Sequence, residues 1–318
     1  MNRVLDAVEA FVDQLASVDP VPLALAAGVH LLKIAATSRA WRNVIAAAYP
    51  ETRVAWRKIL ASYCAGIGVN AVVPVRAGDL VRLYLAHRAV PGSTYPTLAS
   101  SLLVMSVFDL AASGAFLVYA VSLGVLPGLD VLPRLPGFEF GWLIENEWLT
   151  VAIAGGLMLV SFAAGVWAGR HIRAFWQRVA QGFAVLRRPL TYLRTVAAWQ
   201  AVEWSLRLVT IWFLLDAFDI DQSVRNVLLV QVAMSLATVV PLTPAGIGTE
   251  QALLLYLFRG GAPRSQLLAF SVGMKITLSA VNLVVGLVAI AVTLRTIRLR
   301  RAIGAARDHQ TAQQPPPS

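Results

Sequence analysis

The chain has 318 residues, of which 58% are hydrophobic and only 14% charged, and its formal net charge is +10. A soluble domain of this size carries about a quarter charged residues, so the composition is that of an integral membrane protein. The positive charge does not point to nucleic acid, because the arginines gather at the ends of apolar runs, where they orient a protein in a bilayer.

Residues 1–19 lack the basic start and unbroken apolar core of a signal peptide. Val4, Leu5, Val8, Phe11, Val12 and Leu15 recur at helical spacing with Asp6, Glu9 and Asp13 between them. That pattern predicts an amphipathic helix at the interface or on the bundle. Apolar runs follow at 21–36, 98–126, 149–168, 208–218 and 265–294, several of them near the ~20 residues that cross a bilayer. His30 and Lys33 in the first run are expected to snorkel to its end. Trp41, Trp142 and Trp148 are expected as interfacial anchors.

Three basic clusters punctuate these runs. They are Arg39 to Lys58, Arg170 to Arg194, and Arg295 to Arg301. The loops 125–148 and 216–223 are richer in acids. The positive-inside rule puts the basic clusters in the cytoplasm and the acidic loops outside. The C-terminus is then cytoplasmic, in a plasma (inner) membrane. Segment 171–190 is too polar to span. Ile172, Phe175, Trp176, Val179, Phe183 and Leu186 form one face and arginines the other, the pattern of a helix on an anionic leaflet. Glu203 stands four residues before Arg207, a spacing that pairs them along one helix face. Residues 298–318 are polar and end in a proline-rich stretch, expected to be disordered.

Two stretches break the apolar pattern in the same way. "VVPVRAGDLVRL" at 72–83 and "VVPLTPAGIGTEQALL" at 239–254 each open Val-Val-Pro and reach glycine and an acid. A short apolar helix, a basic residue (Arg88, Arg259), a Pro/Gly break and a long apolar helix follow in each. Each long helix holds one ionisable residue: Asp109 stands 35 residues after Pro74, and Lys275 stands 34 after Pro241. The chain therefore reads as two inverted repeats, about 20–125 and 190–297. They are joined by the outer loop 125–148, a span at 149–168 and the interfacial segment. The fold class is all-α, a polytopic helix bundle with broken or re-entrant helices. Matched Pro/Gly interruptions in two halves point to a transporter site at the repeat interface. Exposed backbone at membrane depth is tolerated only inside protein or beside water.

At these residues the chain resembles the lysylphosphatidylglycerol synthase transmembrane, or flippase-like, family, which includes the membrane part of the multiple peptide resistance factor. Asn70, Pro74, Arg76, Gly78, Asp79 and Arg82 match one family motif, with Asp for Glu. Pro241, Pro244, Gly246, Gly248 and Glu250 match the other, with Ala245 for a glycine. The stretch "VMSVFDL" keeps Asp109 but lacks the arginine that often accompanies it. The resemblance implies movement of a lipid or lipid-linked headgroup between leaflets. No soluble transferase domain follows residue 295, so lipid lysylation and enzyme activity are not expected. The residues alone also suit a secondary transporter of a small soluble anion. A third possibility is a non-transporting partner of a glycolipid or cell-wall synthase.

The candidate substrate path comprises Asn70, Arg76, Asp79, Arg82, Asp109, Thr243, Glu250 and Lys275. Arg76 suits a lipid phosphate, or pairs with Asp79 to fix its loop. Glu250 lines the path, or complements a helix N-terminus. Asp109 and Lys275 line it too, or meet each other near the midplane, since each alone costs roughly 2.5–3.5 kcal/mol. His30, His87, His171 and His309 have no metal-ligand spacing. No nucleotide loop is present. No cofactor is expected, and the expected partners are membrane lipids, anionic or lipid-linked.

Overall fold

The computed structural model describes residues 18–73, 77–122, 173–239, 249–258 and 262–312. The amphipathic N-terminal segment up to residue 17, the loop 125–148 and the span 149–168 lie outside them. So do Pro74, Arg76, Pro241, Thr243, Pro244, Gly246 and Gly248.

Among the described residues, nine α-helices of nine residues or more run in order. They are α1 Pro20–Ala48, α2 Trp56–Val72, α3 Ala77–Ala89, α4 Tyr95–Ser122, α5 Arg173–Gly182, α6 Ala198–Ala217, α7 Val224–Val239, α8 Thr249–Leu257 and α9 Arg264–Ala312. A helical turn at Pro189–Tyr192 and a π-turn at Leu193–Ala197 lead into α6. Among the described residues, three helices are long and apolar enough to cross a membrane: Pro20–Ala48, Tyr95–Phe116 and Arg264–Thr293. Leu31, Leu32, Leu103, Leu110, Ile276, Val284, Leu287 and Val288 on these helices are exposed. On a soluble surface such a belt would be an association hazard; against lipid it is solvated.

Local chemistry starts α1 where it does. Pro20 occupies its first turn and the Asp19 carboxylate caps the Val21 N–H at 2.9 Å, a pairing of cap and N-terminal proline that relieves orphan donors. The other end of α1 is tied to three elements. The Tyr49 hydroxyl accepts from Thr94 N–H at 2.9 Å, Gln181 Nε2 donates to Ala48 C=O at 2.8 Å, and Asn43 Nδ2 donates to Thr195 C=O at 2.6 Å. With Arg42 Nε donating to Val54 C=O at 2.9 Å just before α2, these bonds collect the end of α1, the starts of α2 and α4, the end of α5 and the approach to α6 on one face. Arg39, Arg42, Arg53, Arg57, Lys58, Arg178, Arg187, Arg188 and Arg194 belong to it, and we call it the basic face. On the opposite face, Asp19 N–H donates to Ala217 C=O at 3.0 Å. Gln266 Nε2 there donates to the carbonyls of Phe218 and Asp219 at 2.9 and 2.8 Å. This is the acidic face, with Asp19, Asp216, Asp219 and Asp221 against Arg225 and Arg264.

These ties settle the topology. Helices α2 and α3 leave the basic face and return to it, because α4 starts there. At 17 and 13 residues they reach only about 25 and 20 Å, short of the ~30 Å core. They form a re-entrant hairpin. Helices α7 and α8, of 16 and 9 residues, form a second hairpin that leaves and returns to the acidic face. The long–short–short–long order thus occurs twice, upside down. Packing follows the same pseudo-twofold relation: α1 lies along its counterpart α6, and α2 packs on α9 as α7 packs on α4. Cysteines placed at Val73 and Thr249, in a Cys64→Ser background, should react with an impermeant thiol reagent from opposite sides of sealed vesicles. Reaction of both from one side would contradict this topology.

Each half has its own apolar core. Trp41, Val44, Ile45, Ile59, Leu98 and Val104 form one, and Leu214, Leu215, Val230, Leu254, Leu267 and Phe270 the other. Where α2 of one half meets α9 of the other, packing is backbone to backbone. A Cβ on Gly286 of α9 would meet the Gly68 backbone of α2. Lipid supplies no hydrophobic drive for helix association, so small residues that admit such close contact hold the seam.

Two expectations need correction. The interfacial segment is not one helix over 171–190. It breaks after Gly182, forms a 3₁₀ turn at Ala184–Arg187 and breaks again at Arg188, whose φ and ψ are −123° and 81°. Arg188 precedes Pro189, and proline disfavours the helical conformation in the residue before it. The tail expected to be disordered from residue 298 instead continues α9 to Ala312; its alanines and arginines are strong helix formers.

Candidate functional site

Helices α1, α2, α3, α4 and α6 enclose a cavity of about 180 Å³. Lys33 and Thr37 come from α1, Tyr63 from α2, Arg82 from α3, Ser106 and Asp109 from α4, and Gln200, Glu203 and Arg207 from α6. Lys33 sits at the middle of the 29-residue α1, and Asp109 at the middle of the 28-residue α4. The cavity is therefore at mid-depth. Trp41, Leu102 and Met105 extend its lining toward the basic face.

Three cations and two carboxylates face this space, leaving one positive charge in excess. Glu203 is buried and accepts from Arg207 Nη2 at 2.7 Å and Nε at 3.2 Å, with Lys33 Nζ at 3.9 Å. The Glu203–Arg207 pair read from spacing is thus present. Arg207 also lies over the Trp204 ring, 4.4 Å from its centroid, a geometry in which the ring face attracts the cation. Trp204 Nε1 donates to Asp109 Oδ1 at 3.0 Å. Arg82 stands 5.8 Å from the ring centroids of both Trp41 and Tyr63. Two buried polar atoms on the lining have no protein partner: Arg82 Nε, a donor, and Gln200 Oε1, an acceptor. An unmade bond on a buried group costs about 1–3 kcal/mol, so these atoms are ready for a ligand or water.

The first motif builds the tip of the α2–α3 hairpin. Asn70 Oδ1 accepts from Gly78 N–H at 2.7 Å, and Asn70 Nδ2 donates to Asp79 Oδ1 at 3.1 Å. Arg82 meets the same carboxylate at 3.3 Å. Gly78 allows this closeness; a Cβ there would meet the Gly66 carbonyl. Asp79 is thus held by Arg82 and Asn70; the Arg76–Asp79 pairing weighed from sequence falls on a residue outside the described ones. Of the predicted path residues, Arg82 and Asp109 line the cavity, while Asn70 and Asp79 brace Arg82 from outside it.

Glu250 and Lys275 form a separate site. Glu250 lies in the first turn of α8 and its Oε2 meets Lys275 Nζ of α9 at 3.0 Å; Oε1 is buried and unpartnered. Asp109 and Lys275 therefore do not pair. Inverted halves place equivalent positions on opposite sides of the pseudo-axis: Lys275 is answered by Glu250 of its own half, and Asp109 by Trp204 of α6 across the interface.

Sequence reasoning missed Lys33, Thr37, Trp41, Tyr63 and Gln200 as lining, and took Glu203 and Arg207 only as a structural pair. Lys33 does not snorkel, because Glu203 holds it at mid-depth. His30 is buried, its Nε2 bonded to Asn282 Oδ1 of α9 at 2.9 Å. Trp41 is no interfacial anchor; its Nε1 donates to Ser101 Oγ at 2.9 Å in the core. The available signal was position: a lysine at the centre of an apolar run is a functional candidate by default. Among the described residues, no group of three or more His, Cys, Asp or Glu is placed to hold a metal.

A family model described as the lysylphosphatidylglycerol synthase TM region matches residues 5–286. The chain is also similar to a UPF0104 membrane protein of Methanocaldococcus jannaschii. The two are 20% identical over 191 residues, which cover 60% of this chain and 79% of that protein.

Proposed function

Because the chain belongs to the family of the lysylphosphatidylglycerol synthase TM region, we propose that it moves an anionic lipid, or the polar headgroup of a lipid-linked molecule, between the leaflets of the plasma membrane. It makes and breaks no covalent bond in doing so. The observation that carries this reading is the cavity at mid-depth with an excess cation and an unpartnered Arg82 Nε. A charged headgroup leaving water needs substitutes for its hydration. Fixed guanidinium donors beside broken helices supply them. In this reading the basic face is the cytoplasmic one, as the positive-inside rule expects.

The residues divide the work. Arg82 and Arg207 take the phosphate, Lys33 adds charge, and Asp109 and Glu203 keep the empty site from holding the anion too tightly. Asn70 and Asp79 position Arg82. In proteoliposomes with fluorescent phosphatidylglycerol, Arg82→Met should slow leaflet exchange about 10- to 100-fold, the worth of one charge-assisted hydrogen bond. The double change Arg82→Met with Asp79→Met removes the stranded carboxylate and should restore the melting temperature but not exchange. Recovery of exchange in the double variant would remove Arg82 from the site. The cavity's size also suits a small soluble anion. Uptake of radiolabelled phosphate into the same sealed vesicles, without lipid exchange, would favour that second reading.

A further inference from the structure

The two hairpins carry the same device with its charges exchanged. In the first half the cation, Arg82, is on the hairpin and the anion, Asp109, on the long helix after it. In the second half the anion, Glu250, is on the hairpin and the cation, Lys275, on the long helix. The positions correspond: Arg82 and Glu250 follow Pro74 and Pro241 by 8 and 9 residues, and Asp109 and Lys275 by 35 and 34. Yet the two halves are not in the same state. Glu250 and Lys275 are joined at 3.0 Å. Arg82 and Asp109 both face the cavity, and the salt bridge of Arg82 is to Asp79, while Asp109 takes the Trp204 indole. One latch is closed and its counterpart is open.

We propose that the chain alternates between this state and its mirror, in which Arg82 closes on Asp109 and Glu250 releases Lys275. Inverted repeats make the second state from the first by exchanging the conformations of the halves. The exchange breaks one part-buried ion pair and forms another, so the number of such pairs between hairpins and long helices is the same in both states. Glu250 Oε1 and Ser271 Oγ, one turn before Lys275, are both buried without a partner. They are the polar groups that the opened second half would expose. As the first latch closes, Asp109 takes Arg82 from an anionic headgroup while Lys275 becomes free to receive it. The receiving step rests on the transport reading above; the alternation itself does not.

The test reads conformation without substrate. Single cysteines replace Ser106, on the cavity lining, and Ser271, fully buried, in a Cys64→Ser background. Their reaction with a methanethiosulfonate reagent is timed in nanodiscs. Glu250→Gln should slow labelling at position 106 at least threefold and speed it at 271 at least threefold. Adding Asp109→Asn removes the partner that closes the first latch, and labelling at 106 should return to its starting rate. To separate this from damage to folding, the exchanged pair Glu250→Lys with Lys275→Glu should restore both rates. Unchanged rates in Glu250→Gln, a rise at both positions, indifference to Asp109→Asn, or no rescue by the exchanged pair would each overturn the proposal. Switched labelling without lipid exchange would keep the latch and sink the transport reading. Exchange with unswitched labelling would do the reverse.

Discussion

Replacing Glu203 by alanine is expected to cost about 3–5 kcal/mol of folding stability, seen as a fall of roughly 10 °C in the melting temperature of the detergent-solubilised protein. Its carboxylate is 4% exposed and answers both Arg207 and Lys33. Removing it leaves two cations facing a cavity that already holds Arg82. Changing Glu203 and Arg207 together to methionine removes one stranded charge and should recover most of the loss. By contrast, the Asp79 side chain is 31% exposed, and a pair so open to water contributes no more than about 1 kcal/mol. The ranking is the test: a Glu203→Ala protein that melts with the wild type would show that the cavity's charges are held by something other than Glu203.

The second large effect is expected at the seam between halves. Gly286→Val would push branched carbons into the Gly68 backbone. Overpacking commonly costs about 1–3 kcal/mol, and here no side chain can swing aside to lessen it. Helix α9 must move off α2, which carries the first hairpin. Gly28→Ala is the control, because nothing lies within 4 Å of a Cβ there and alanine favours helix over glycine by about 1 kcal/mol. A lower melting temperature for Gly286→Val beside an unchanged or raised one for Gly28→Ala is the expected pattern. Equal melting of the two would mean that the seam is loose.

The architecture was more legible than the site. Long apolar runs and a repeated Val-Val-Pro break are local signals, and lipid makes them strong by forbidding unpaired backbone. Opposed charge clusters gave the inversion. The cavity was not local. Lys33 looked like a residue free to reach water, since nothing in its own run shows Glu203 arriving from a helix about 170 residues later. Asp109 and Lys275 were matched because symmetry makes them equivalent. Equivalence under an inverted repeat instead assigns each a partner of its own: Trp204 for one, Glu250 for the other. Arg82 was visible because it stands in the first of the two family motifs.

The π-turn at Leu193–Ala197 has a consequence for how this protein can change over generations. A π-turn amounts to one extra residue in a regular helix, and one residue is about 100° of rotation. The helical stretch before it presents Leu190 outward, while α6 after it turns Gln200 and Glu203 inward. Those two orientations are set independently, with the turn absorbing the phase between them. Substitutions that re-aim the outer stretch on its leaflet can therefore accumulate without rotating the carboxylate that holds Lys33 and Arg207. The anchoring of the protein and the chemistry of its interior are free to drift apart.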